Sequence, residues 1–199
     1  KPILRELTSI DSVSLDAVRF VARPHNRCTL RYRDSAERDE TLRGGVGAVS
    51  WGQIEKALGA DLVLINFISG YDISWRNLQR LRREYRGTVY LDFHSRTLAL
   101  ARDGKRYLRR PPRWREYILC ADILQMNEVE FATLTTVEVS RSSCVKFARR
   151  YLSRKAGLII TLGEGGALSV EPGASDHRCQ RFSASLPSNV YQTTGCGDV

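Results

Sequence analysis

Hydrophobic and polar positions keep one rhythm at the start of the chain and another after it. Residues 17–23 (AVRFVAR) and 28–34 (CTLRYRD) alternate apolar and polar side chains, the period-two pattern of strands with one exposed face. A flexible RGGVG segment at 43–47 ends that pattern. Ser50 can then cap a short helix closing at Gly59, and the apolar run 62–67 (LVLINF) has the character of a buried parallel strand. Ser74 opens a second helix on which Trp75, Leu78, Leu81 and Tyr85 share a face, and Gly87 closes it. Strands are expected again at 88–93 (TVYLDF), 122–126 (DILQM), 158–162 (LIITL), 167–171 (ALSVE) and 179–184 (CQRFSA). Helices are expected after Pro111 and Pro112, from Asn127, and over a stretch carrying Val145, Ala148 and Leu152 that stops at Gly157.

Strands and helices alternating with short connections predict an α/β fold around a mostly parallel sheet, joined by right-handed crossovers. The opening strands stand outside that alternation and are expected to form a small separate sheet. The expected division is residues 1–48 as one part and residues 49–199 as an α/β core.

Composition adds little to the fold and something to the chemistry. Of 199 residues, 42% are hydrophobic and 27% charged, as in ordinary globular domains. No apolar run is long enough to span a bilayer, and the first residues do not form a secretory signal. Five scattered cysteines (Cys28, Cys120, Cys144, Cys179, Cys196) give neither a zinc pattern nor a disulfide framework, which points to a reducing, cytoplasmic setting. The net charge of +9 is concentrated in RLRREYR (80–86), RRPPRWR (109–115) and RRYLSRK (149–155). Solvated helix faces explain such clusters, and a positive field also suits anionic small molecules or nucleic acid.

Ligands of open α/β sheets sit beyond the carboxyl ends of the strands. Four motifs fall there: DFHSR (92–96), MNEVE (126–130), TLGEGG (161–166) and TTGCGD (193–198). In the last, Gly195 and Gly197 flank Cys196, so backbone N–H groups can converge on an anion. Asp198 at the rim of that nest is placed to take a proton from an attacking hydroxyl, or simply to cap a helix. Asn127 and Glu130, three apart, can hold the hydration shell of magnesium, or form a capping box. Thr161 and the glycines of TLGEGG allow close approach of a nucleotide. Arg96 can pair with a phosphate or with Asp92.

In this order the four motifs resemble those of the ribokinase-like sugar kinases of the phosphofructokinase-B type: D-x-x-x-R, N-x-x-E, T-x-G-x-x-G, and D-T-x-G-A-G-D with the catalytic aspartate last. The resemblance implies a three-layer ribokinase-like sandwich with a small β lid, formed here by the early strands. It implies an ATP-dependent, magnesium-assisted transfer of the γ-phosphoryl group to a sugar hydroxyl, with no membrane or nucleic-acid partner, and it allows a homodimer through the lid. Asp198 then corresponds to the general base, and the amides of Gly195, Cys196 and Gly197 to the hole that receives the moving phosphoryl group. Asn127 and Glu130 correspond to the pair that organises magnesium, the metal held through water. Thr161, Gly163 and Gly166 correspond to part of the ATP site, and Arg96 to a phosphate neighbour. Gln192 stands where the family has an aspartate, and Cys196 where it has alanine or glycine. The segments the family carries before the lid and after the catalytic aspartate have no counterpart between Lys1 and Val199. A basic nucleic-acid-binding domain and a catalytically degenerate kinase-like binding protein are the competing readings.

Overall fold

A computed structural model describes residues 9–10, 12–32, 38–174 and 176–184. Its centre is a six-stranded sheet. Strands β3 (Leu62–Asn66), β4 (Thr88–Asp92), β7 (Ile123–Asn127) and β8 (Gly157–Thr161) run parallel and lie side by side in that order. β9 (Ala167–Glu171) and β10 (Arg178–Phe182) extend the sheet antiparallel beyond β8. Each parallel strand lies one place beyond its predecessor. Right-handed crossovers in a single direction put every connecting helix on one face.

That face is the core. Val89, Leu91, Leu124, Met126, Leu158, Ile160 and Val170 point into it and are fully buried or nearly so. Over them lie α2 (Trp75–Glu84), α3 (Trp114–Ile118), α4 (Glu128–Thr135) and α5 (Arg141–Tyr151). A short α1 (Trp51–Ile54) precedes them. α2 begins where Ser74 accepts from Asn77 N–H and buries Leu78 and Leu81, as its periodicity predicts. Aromatic contacts join the helices: Trp75 meets Tyr117 at 5.1 Å and Trp114 stacks on Phe147 at 6.1 Å. Such tilted and stacked pairs add about 0.5–1.5 kcal/mol each beyond area burial. The opposite sheet face is less covered by the described residues: Leu64 is 60% exposed, where a parallel strand is normally buried on both sides. The described residues therefore supply the sheet and one of the two helical layers of the expected sandwich.

The early strands differ from expectation. Residues 17–23 form no strand, and Val18, Phe20 and Val21 are exposed. The small sheet is instead an antiparallel pair of β1 (Arg27–Tyr32) and β2 (Arg38–Arg43). Alternation alone cannot make a strand without a partner edge, and the partner of β1 is the mostly polar RDETLR. A second unforeseen hairpin pairs β5 (Leu98–Leu100) with β6 (Arg106–Leu108). Its signal was in the sequence: Asp103-Gly104 between alternating runs is a strong hairpin-turn pattern, and Gly104 has φ +90°.

The β5–β6 hairpin leans on the small sheet. Leu42 N–H donates to Gly104 O at 2.9 Å. Beneath that contact Arg106, its side chain only 1% exposed, forms an ion pair with Glu40 at 2.8 Å. Its Nη2 also donates to Ser69 O at 3.2 Å and Ser95 O at 3.0 Å. One guanidinium thus ties the small sheet to the loops that follow β3 and β4.

Candidate active site

The carboxyl ends of the four parallel strands form one edge, and three of the four motifs meet there. Register places Asn66 beside Asp92, Asp92 beside Gln125, and Asn127 beside Thr161. At the end of the middle strand Asn127 caps α4. Its backbone N–H and its Nδ2 donate to the two Glu130 carboxylate oxygens, both at 2.8 Å, while Glu130 N–H donates to Asn127 Oδ1 at 2.9 Å. The N-x-x-E motif is therefore a capping box in the structure.

Glu130 is nearly buried, at 6% exposure. Burial pushes its carboxyl up to about 8, with the negative charge of Asp92 adding to the rise and the hydrogen bonds from Asn127 opposing it. The His94 imidazole lies 3.9 Å from the same carboxylate. His94 sits on a turn with φ +23°, and Asp92 Oδ1 accepts from its N–H at 3.2 Å. Sequence reasoning gave His94 no role.

This pKa has a measurable consequence. The folded state holds the proton up to about 8, whereas the unfolded chain releases it near 4.5. Stability from this group is therefore full below pH 4.5 and is lost as pH rises through 8. Without added metal, the melting temperature is expected to fall between pH 5 and pH 8.5, and Glu130→Gln to flatten that slope. Equal slopes in both proteins would reject the assignment.

Arg96 follows on the turn after β4. Its Nη1 donates to Gly70 O at 3.1 Å, and its guanidinium lies 4.5 Å from the Tyr117 ring centroid. The TLGEGG loop divides into two kinds of glycine. Gly163 has φ +53° and open space around the position a side chain would take. Gly166, φ +83°, has a packing reason: a Cβ there would stand 1.9 Å from Phe182 O. Gly166→Ala is expected to cost well over 1 kcal/mol, more than Gly163→Ala with its about 1–2 kcal/mol of left-handed strain. Thermal unfolding of the two variants checks the order.

Beside this loop opens a cleft of about 680 Å³, walled by Leu162, Gly165 and Leu168, by Ser140 and Arg141 at the start of α5, and by Arg181. Motif reading did not find Arg141 or Arg181, because they enter from elements separate from the loop. Thr161, which register sets beside Asn127, ends β8, and Leu162 follows it in the chain. Gly195, Cys196, Gly197 and Asp198 lie outside the described residues.

The donors gathered at the edge can be tested against magnesium. They are oxygens: the Glu130 carboxylate, the Asn127 amide, the Asp92 carboxylate nearby, and Asn66 Oδ1, which is buried without a hydrogen-bond partner among the described residues. Hard oxygen donors fit that ion. Among the described residues no group of three or more histidines, cysteines or acids is clustered for direct ligation.

The basic clusters are partly neutralised or stacked. Arg82 pairs with Asp122 at 2.9 Å, Arg80 with Glu84 at 2.9 Å, and Arg149 with Asp176. Arg115 lies over Trp114. No helix among the described residues is long and apolar enough to cross a membrane.

Residues 98–199 match the sequence pattern of the pfkB family carbohydrate kinases. The chain belongs to this family. Its fold is that of ribokinases. A ribokinase from Cryptococcus neoformans in complex with ADP superposes with a TM-score of 0.70 at 18% identity, covering 99% of this chain and 63% of its own. A ribokinase from Arabidopsis thaliana complexed with ribose and ATP gives 0.63 at 17% identity, covering 89% and 54%. A pyrophosphate-dependent kinase of the ribokinase family gives 0.62 at 17% identity, covering 81% and 55%. The chain thus spans between about half and two thirds of these pfkB-type structures. No curated protein sequence matches it.

Proposed function

We propose that this chain carries the core of an ATP-dependent kinase that phosphorylates a hydroxyl of a sugar or sugar-like acceptor. The observation that supports this most is the Asn127–Glu130 pair, held beside Asp92 and Thr161 at the ends of adjacent parallel strands. A nucleotide fits the 680 Å³ cleft between the TLGEGG loop and α5. There Arg141 and Arg181 offset phosphate charge together with that of Glu128 and Glu138, which line the same cleft, and Gly165 lets the chain approach closely. Glu130 and Asn127 would hold magnesium through its water shell, and the ion would supply charge neutralisation between the phosphates. In this reading the β1–β2 sheet is the lid, residues 1–48 belong to it, and residues 49–199 form the kinase core. The enzyme acts in the cytoplasm, and this reading allows a homodimer through the lid.

Asp198 accepts the proton of the acceptor hydroxyl as its oxygen attacks the γ-phosphorus. The bond to the β–γ bridging oxygen breaks and ADP leaves. The amides of Gly195, Cys196 and Gly197 receive the charge on the transferring group.

The test is sugar-dependent release of ADP by the complete protein, with pyrophosphate offered as a second donor because one structural neighbour uses it. Transfer from pyrophosphate but not from ATP would overturn the nucleotide reading. Salt-sensitive binding of DNA or RNA without transfer would favour the nucleic-acid alternative. Ligand binding without turnover would mark a degenerate kinase.

A further inference from the structure

Among the described residues, two hollows flank β7 at the site edge. The larger is the cleft past β8. The smaller, of about 240 Å³, lies past β3 and β4, where the β5–β6 hairpin returns to the core. It shares no lining residue with the cleft. Its polar groups are Arg96, Arg109 and Tyr71, and its apolar wall includes Leu98, Leu100 and Pro111.

Charge is unbalanced there. Among the described residues, neither Arg96 nor Arg109 has a carboxylate within ion-pair distance. Two nearby acids are engaged elsewhere. Glu40 is taken by Arg106, and Asp72 accepts from Ser69 N–H at 2.9 Å and Gly70 N–H at 3.0 Å. Arg96 is fixed by Gly70 O and by Tyr117, with its buried Nε unused. Arg109 is anchored at its backbone, where its N–H donates to Thr97 O at 2.8 Å, while its side chain is exposed. Two unneutralised guanidiniums against an apolar wall suit a carboxylate or phosphate on a short carbon skeleton. The volume is below the roughly 300–1,000 Å³ of pockets that enclose a whole drug-sized ligand, so it takes one end of a molecule.

We propose that Arg96 and Arg109 bind the anionic end of the acceptor, so that the acceptor is a sugar acid or a sugar phosphate and not a neutral sugar. This rests on the phosphotransferase reading, which puts the donor past β8 and leaves the β3–β4 side for the acceptor. The β5–β6 hairpin supplies Leu98 and Leu100, and the segment that leaves it supplies Arg109 and Pro111, so this part of the chain sets the specificity.

The experiment offers gluconate, fructose 6-phosphate and fructose to the complete protein with ATP, and repeats each with Arg109→Gln and Arg109→Lys. At least one anionic compound is expected to exceed fructose in kcat/KM by about tenfold or more, the scale of one hydrogen bond to a charged group. Arg109→Gln is expected to raise the KM for that compound by a similar factor with kcat little changed, and Arg109→Lys to recover part of the loss. Which anionic compound responds separates carboxylate from phosphate recognition. Fructose performing as well as both, or an unchanged KM in Arg109→Gln, would overturn the proposal and leave the kinase reading standing. If none of the three is phosphorylated, calorimetric titration decides. Binding of an anionic compound to the wild type and not to Arg109→Gln keeps the pocket and discards the kinase reading. No binding of either discards the proposal.

Discussion

Replacing Asp198 with asparagine in the complete protein is expected to lower turnover by about 10²–10⁴-fold while ATP affinity stays the same. The amide keeps the shape of the side chain but cannot take a proton, so the attacking hydroxyl loses the group that general-base catalysis contributes. ATP affinity is read separately, by calorimetry, because the nucleotide cleft is lined by Leu162, Gly165, Arg141 and Arg181. A loss confined to kcat identifies a residue acting in the transition state. Turnover within a factor of a few of wild type would remove Asp198 from the chemistry and leave the capping role that its position also allows. A parallel collapse of ATP binding would mean that the variant had disturbed the anion hole and not the base.

The largest stability effect is expected at Arg106. Arg106→Ala should destabilise the protein by about 3–5 kcal/mol, the usual consequence of leaving one partner of a buried ion pair uncompensated. Glu40 would keep its charge with only partial access to water, and Ser69 O and Ser95 O would lose a donor. For a chain of this length the melting temperature would fall by roughly 6–20 °C. The double variant Arg106→Met with Glu40→Leu should recover most of the loss, because an apolar pair of similar volume removes the stranded charge. A single variant losing less than about 1 kcal/mol, or a double variant no better than the single, would show that this pair does not hold the small sheet to the core.

Much of the α/β core was legible because its signals are local. LVLINF and LIITL are continuous apolar runs, and the structure gives them β3 and β8. The helix after Ser74 has the predicted cap and the predicted buried face. The same reading erred over residues 17–23, where alternation was present but no neighbouring edge was. It passed over β2 because a strand whose main task is to pair with β1 and lean on a hairpin needs few apolar residues. The site was readable to the extent that its residues come as short motifs: Asn127 and Glu130 fall three apart on one helix turn and do pair. Arg141 and Arg181 were not, because they reach the cleft from elements remote in sequence from the glycine loop.

The chain alone thus determined the alternation of elements and the chemistry at the end of each strand, since hydrophobic period, caps and turn residues act over a few positions. Tertiary structure alone decided which of those ends stand together. It also decided that Glu40 and Arg106, 66 residues apart, share one buried bond. It was burial, again, that moved the Glu130 carboxyl to about 8. Desolvation and long-range pairing depend on what surrounds a group in space, and no local pattern of residues carries that information.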